Sequence, residues 1–153
     1  MRHFFLYIIK KEFAEHYYQR EVKIFQLFQE YQWTSHQHPS FKQLEKQVHY
    51  VTKKIPFHYV DLFLESYLSH RSDYQHVTPI HTIQLKNYQG SASLVLKERL
   101  IELVSTGNID AEIIFFEALR KINSHFFAMD FANERFGWLH PIKDRNFVKN
   151  SGK

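Results

Sequence analysis

Phe4 to Ile9 is the stretch that most restricts the fold. Phe4, Leu6 and Ile8 alternate with Phe5, Tyr7 and Ile9, and both sets are apolar. Successive side chains of an extended chain point to opposite faces. A strand with this pattern is therefore buried on both sides, inside a sheet. The chain has 153 residues, the length of one domain. A domain of this size buries roughly 70% of its unfolded surface and needs no disulfide or metal to fold. Cysteine is absent, which excludes a disulfide framework, thiol catalysis and thiolate metal sites. Met1-Arg2-His3 ahead of the apolar run looks superficially like a secretory leader. The run is too short, Lys10-Lys11 ends it, and no small-residue cleavage site follows. No stretch approaches the ~20 apolar residues of a membrane span. The expected compartment is the cytoplasm.

From Lys11 the composition turns to Glu, Lys, Gln, Phe and Tyr, without Gly or Pro before Pro39. This predicts one long helix from Lys11 to Gln32. After the loop Thr34 to Pro39, Ser40 is positioned to cap a second helix, Phe41 to Thr52. Pro56 suits the first turn of a third, Phe57 to Ser69. Arg71 to Thr78 reads as loop and Ile80 to Leu85 as strand. Ala92 to Leu96 and Leu100 to Val104 read as two antiparallel strands, although Leu96, Leu100 and Leu103 also fit a helix. Asn108 or Asp110 caps a helix from Ala111 to Ile122. Phe126 to Phe131 and Phe136 to Leu139 form a hairpin that Pro141 ends. Helices gather in the first half and strands in the second. The expected fold is α+β, one domain over residues 1–148, a largely antiparallel sheet packed against several helices. Residues 149–153 read as a frayed tail.

The first predicted helix is unusual. At about 100° per residue, Phe13, Tyr17, Ile24, Leu27 and Tyr31 fall on one stripe, with Arg20 among them. Tyr18, Val22, Phe25 and Phe28 fall on a second. Together they cover roughly 220° of the circumference, against the ~100° a surface helix usually buries. Either the helix is almost fully buried, or one stripe faces the core and the other a partner. The chain holds 15 Phe and 9 Tyr, more than a core of this size requires, so aromatic surface is available for recognition. Lys10, Lys11, Glu12 and Arg20 crowd the N-terminal half, and the Tyr17 and Tyr18 hydroxyls want water or a partner.

Signatures of chemistry are missing. The four glycines, Gly90, Gly107, Gly137 and Gly152, are too far apart for a dinucleotide fingerprint or a phosphate loop. There is no His-Glu-x-x-His pair and no nucleophile elbow. His36 and His38 are spaced to face one side of an extended segment, but a third ligand would have to come from elsewhere, and a solvated loop is the plainer reading. His16, His49, His58 and His81 sit in regular elements and read as partly buried polar residues. Asp130 and Glu134 flank a hairpin turn, where carboxylates serve local hydrogen bonds more often than acid–base work.

Residue by residue, the chain resembles the SirA family of sporulation inhibitors of replication. The matching motifs are Glu12-Phe13-Ala14, His16-Tyr17, Arg20-Glu21, Trp33-Thr34-Ser35 and Glu45-Lys46-Gln47 with Tyr50. Ile114-Phe115-Phe116-Glu117, Leu119-Arg120-Lys121, Ala128-Met129-Asp130-Phe131, Gly137-Trp138-Leu139, Pro141, Lys143 and Arg145-Asn146-Phe147-Val148 follow in order. Phe57 to Gly90 matches little beyond Asp73-Tyr74. The resemblance implies a protein without catalysis or cofactor. It implies binding to the N-terminal domain (domain I) of the replication initiator DnaA, which blocks initiation during sporulation. By motif, the binding surface falls on Phe13 and Tyr17 of the first helix and Gln47 and Tyr50 of the second. Arg20 is expected at its rim. On this reading Tyr18, Val22, Phe25 and Phe28 go to the core, and the second helix covers Ile24, Leu27 and Tyr31. The free protein is expected to be a monomer.

A formal net charge of +4, with Tyr and Phe interleaved among lysines, also fits a basic protein acting directly on DNA. No dense basic run supports that alternative.

Overall fold

Strand β1 (Arg2–Ile9) is the spine of the molecule. The computed structural model describes residues 1–140. The expected domain limit at 148, the tail at 149–153 and the motifs from Pro141 onward lie outside the described residues. Among the described residues eight antiparallel strands form one sheet, seven of them in the order β3 (Tyr74–Val77), β4 (Ile80–Gln84), β5 (Gly90–Leu96), β6 (Ile101–Gly107), β1, β7 (Phe126–Asp130) and β8 (Arg135–Trp138). The two-residue β2 (Thr52–Lys53) pairs only with β1.

The alternation read in β1 divides two cores. Phe4, Leu6 and Ile8 join one cluster with Val60, Leu64 and Leu68 of α4 (Phe57–Leu68) and Phe115, Ala118 and Leu119 of α5 (Asp110–Ile122). Tyr7 and Ile9 join the other with Ala14, Ile24, Phe25, Phe28 and Val48. Those residues come from α1 (Lys11–His16), α2 (Glu21–Trp33) and α3 (Phe41–Val51). Helices thus cover both faces of the sheet. The α+β expectation holds, and the ambiguous segment at 92–105 is the β5–β6 hairpin. Alternate side chains of that hairpin, Ala92, Leu94, Leu96, Ile101 and Leu103, are buried in the first core, which a helix there could not do.

The structure corrects several expectations. The long first helix is two helices. Residues Tyr17 to Arg20 turn between α1 and α2, and Gln19 has φ +68°. The Arg20 amide closes the turn onto the Tyr17 carbonyl at 2.7 Å. The Gln19 amide donates to the Glu21 carboxylate at 3.0 Å, and the same oxygen accepts the Trp138 indole N–H at 3.2 Å. A break anchored from β8 is a tertiary device, invisible to local propensity. Because the break resets the helical phase, Val22 is 44% exposed rather than in the core. Phe25 and Phe28 are buried as expected. So is Ile24, and α3 reaches Tyr31, whose ring stacks on Phe41 at 5.4 Å.

Residues Tyr74 to Val77, read as loop, form edge strand β3. Ser40 stands at the start of α3 but does not cap it, because its hydroxyl bonds the His38 ring at 2.8 Å instead. Neither Asn108 nor Asp110 occupies the cap position of α5, which falls on Ile109; the Asn108 side chain accepts the Asp110 amide. His16, His49 and His58 are exposed, and only His81 of that group is buried.

Candidate functional site

The end of β1 decides where the candidate residues meet. On one side of β1, β6 pairs with Arg2 to Leu6, and β2 takes over at Ile8 and Ile9. Since α3 runs directly into β2, this pairing pins the end of α3 beside the start of α1. The Lys10 amide seals the junction by donating to the Val51 carbonyl at 2.9 Å. Buried Thr52 locks the corner, its hydroxyl donating to the Val48 carbonyl at 2.8 Å.

Three side chains converge across this seam. The Phe13 ring of α1 meets the Tyr50 ring of α3 edge-on, with centroids 5.3 Å apart. Edge-to-face geometry places the positive ring edge on the negative face and contributes about 0.5–1.5 kcal/mol beyond area burial. The Lys10 ammonium lies 5.1 Å from the Tyr50 centroid, within cation–π range. Phe13 is half-buried on the second core, whereas Tyr50 is 66% exposed.

Tyr17 stands one turn on from Phe13, its amide donating to the Phe13 carbonyl at 3.0 Å. It leans on the second core and is also half-buried. The Arg20 guanidinium lies 5.8 Å from the Tyr17 centroid and donates to the His16 carbonyl at 2.8 Å. The His16 ring meets Tyr17 edge-on at 4.7 Å. Arg20 is therefore held over Tyr17 by the turn that interrupts the predicted helix. Gln47 is exposed and lies three residues before Tyr50, on the same face of α3.

The structure thus brings Phe13 and Tyr50 into direct contact and groups Tyr17 with Arg20. Gln47 flanks them, its side chain without a hydrogen bond to another described residue. Lys10 and His16 belong to the same surface, although the sequence reading did not place them there. Lys10 ends the apolar run of β1, and that position was the available signal. Chemically, the surface offers aromatic faces, one hydroxyl edge each from Tyr17 and Tyr50, an amide and two cations. Half-buried rings fixed by a core lose little freedom on contact, which suits protein recognition.

The other sequence candidates go to structural roles. Buried Asp130 accepts hydrogen bonds from Asn133 and from the Arg135 guanidinium at 2.9 Å. These bonds outweigh burial and hold its carboxyl below the usual range. His36 lies against the Phe41 ring, and His38 bonds Ser40. Among the described residues no group of three or more His, Asp or Glu side chains is placed to hold a metal ion. No described helix is long and apolar enough to cross a membrane.

Comparison with known proteins bears on this surface. A family model described as "Sporulation inhibitor of replication protein SirA" matches residues 2–143. The protein of that name from Bacillus subtilis (strain 168) is 45% identical over 147 residues, covering 96% of this chain and 99% of the relative.

Proposed function

The chain belongs to the SirA family of sporulation inhibitors of replication, and from that premise we propose that it blocks initiation by gripping the N-terminal domain of DnaA. The coarser role follows from the family: a regulator that restrains chromosome replication during sporulation. The finer reading concerns the partner and the surface. Phe13 and Tyr17 fill an apolar depression on DnaA domain I, while Gln47 and the Tyr17 and Tyr50 hydroxyls supply hydrogen bonds. Arg20 adds a charged contact at the rim.

One observation carries the reading: an exposed aromatic contact, Phe13 against Tyr50, at a seam locked by Lys10 and Thr52. Such a locked, partly desolvated aromatic pair has the character of a binding hot spot. The test is a calorimetric titration of the full chain with isolated DnaA domain I from the same organism. Saturable binding that is lost in Tyr17→Ala and Tyr50→Ala supports the assignment. Absence of binding overturns it, and so does unchanged affinity in both variants. Salt-sensitive binding to naked DNA without DnaA would favour the nucleic-acid reading instead.

A further inference from the structure

A cavity of about 370 Å³ opens behind α3, on the side away from Gln47 and Tyr50. Among its walls are Tyr7 of β1, Tyr31 of α2, Glu45, Val48 and His49 of α3, and the β5–β6 turn from Lys97 to Leu100. The size is at the small end for ligand pockets, which run from roughly 300 to 1,000 Å³. Tyr7 is 6% exposed, and its hydroxyl makes no hydrogen bond with any described residue. A buried hydroxyl left without a partner is destabilising, so such groups normally have one. Burial, and then proximity to Tyr31 and Glu102, raises the Tyr7 pKa, which keeps the hydroxyl protonated and able to donate. Burial and nearby Glu45 act in the same direction on Tyr31.

Charge pairing around the cavity narrows the ligand class. Lys97 is engaged by Glu102, and Glu98 faces Lys54 at 3.2 Å. Two opposite formal charges, Arg99 and Glu45, remain without an ion pair among the described residues, beside the His49 ring. Arg99 only reaches the Thr52 hydroxyl, at 3.3 Å, and keeps its other N–H donors. The Glu45 side chain has no hydrogen bond or ion pair with another described residue. An isolated anion would meet Glu45, and an isolated cation would meet Arg99. A molecule carrying both charges satisfies both groups, and Val48 and Leu100 offer an apolar wall beside them.

We propose that this cavity binds a free α-amino acid with an apolar side chain, its ammonium on Glu45 and its carboxylate on Arg99 and the Tyr7 hydroxyl. The site is independent of the DnaA assignment, since it uses the opposite face of α3.

Calorimetry and amide chemical-shift mapping of the full chain with L-leucine, L-isoleucine and L-phenylalanine test it. At least one should bind saturably, with a Kd of about 1 mM or below, and shift amides near Glu45 and Arg99. N-acetyl and amide derivatives, each lacking one charge, should bind at least about ten-fold more weakly, a loss of ~1.4 kcal/mol. Tyr7→Phe keeps the ring in the core and should weaken binding several-fold. Arg99→Gln and Glu45→Gln, at the cavity mouth, should do the same. They serve if the Tyr7 variant misfolds. The proposal falls if none of the three amino acids binds with a Kd of about 1 mM or below. It also falls if a capped derivative binds as tightly, or if the charge variants leave affinity unchanged.

Discussion

Phe13 and Tyr50 stand 37 positions apart in the chain (50 − 13), yet their rings meet edge-on at 5.3 Å. The contact exists because β2 zips the end of α3 onto β1 just where α1 begins. Phe13 also rests on the second core, whereas Tyr50 projects from the exposed face of α3.

Phe13→Ala, Tyr17→Ala and Tyr50→Ala should each weaken binding to DnaA domain I by more than about 2 kcal/mol, roughly 30-fold. A double-mutant cycle on Phe13 and Tyr50 should give a coupling of about 0.5–1.5 kcal/mol, and a cycle pairing Tyr50 with distant Tyr59 should give close to zero. Urea melts accompany the titrations. Tyr50→Ala should cost stability only about 0.5–1.5 kcal/mol, the value of its edge-to-face contact with Phe13, because the residue is otherwise 66% exposed.

Gln19→Gly should stabilise the fold by about 0.5–1 kcal/mol. Gln19 occupies a left-handed conformation, φ +68°, which costs an L-residue about 1–2 kcal/mol and glycine almost nothing. The sign separates the two descriptions of this segment. In a continuous helix the same substitution would destabilise by about 1 kcal/mol. Chemical denaturation of the two proteins measures the difference.

Glu21→Ala should destabilise by about 1–3 kcal/mol and loosen the turn. Its carboxylate accepts both the Gln19 amide and the Trp138 indole N–H, so two donors lose their partner at once. The emission of Trp138 should change in the variant, with Trp33→Phe used as background to isolate that signal. An unaltered spectrum and unaltered stability would contradict the anchoring role.

Stability should fall as pH drops below about 6.5, the ordinary histidine value. His81 is completely buried, its Nε2 donating to Asp61 at 2.8 Å and its Nδ1 accepting from the Tyr74 hydroxyl at 2.6 Å. Burial lowers the His81 pKa. The folded state therefore favours the neutral ring. Its contribution is present above the unfolded pKa and is lost as pH falls toward the lower folded value. Asp61 acts in the same direction further down. Burial raises its pKa, but hydrogen bonds from Thr78 and His81 prevail and lower it, so its contribution is lost at still more acid pH. Urea midpoints between pH 8 and pH 5 should drop less in His81→Phe than in the parent. A parallel decline in both proteins would assign the acid sensitivity to other groups.

The legible part of this protein was the part whose physics is local or periodic. Double alternation in β1 specified a strand covered on both faces, since side-chain direction follows from backbone pleat alone. The boundaries of α3, α4 and α5 followed from apolar spacing and from breakers such as Pro56. The ordered motifs along the chain, from Glu12-Phe13-Ala14 to Gly137-Trp138-Leu139, pointed to the family that the comparisons show. What the sequence could not convey was whatever depends on a distant partner. The turn at Gln19 needs the Trp138 indole, 117 residues beyond Glu21, to make a left-handed glutamine worthwhile. The meeting of Phe13 with Tyr50 needs a two-residue strand too short for any periodicity to announce. The cavity behind α3 needs walls from four separate segments and a tyrosine hydroxyl without a partner among the described residues. Periodicity assigns a side chain to a face, but only the assembled sheet decides what lies opposite it.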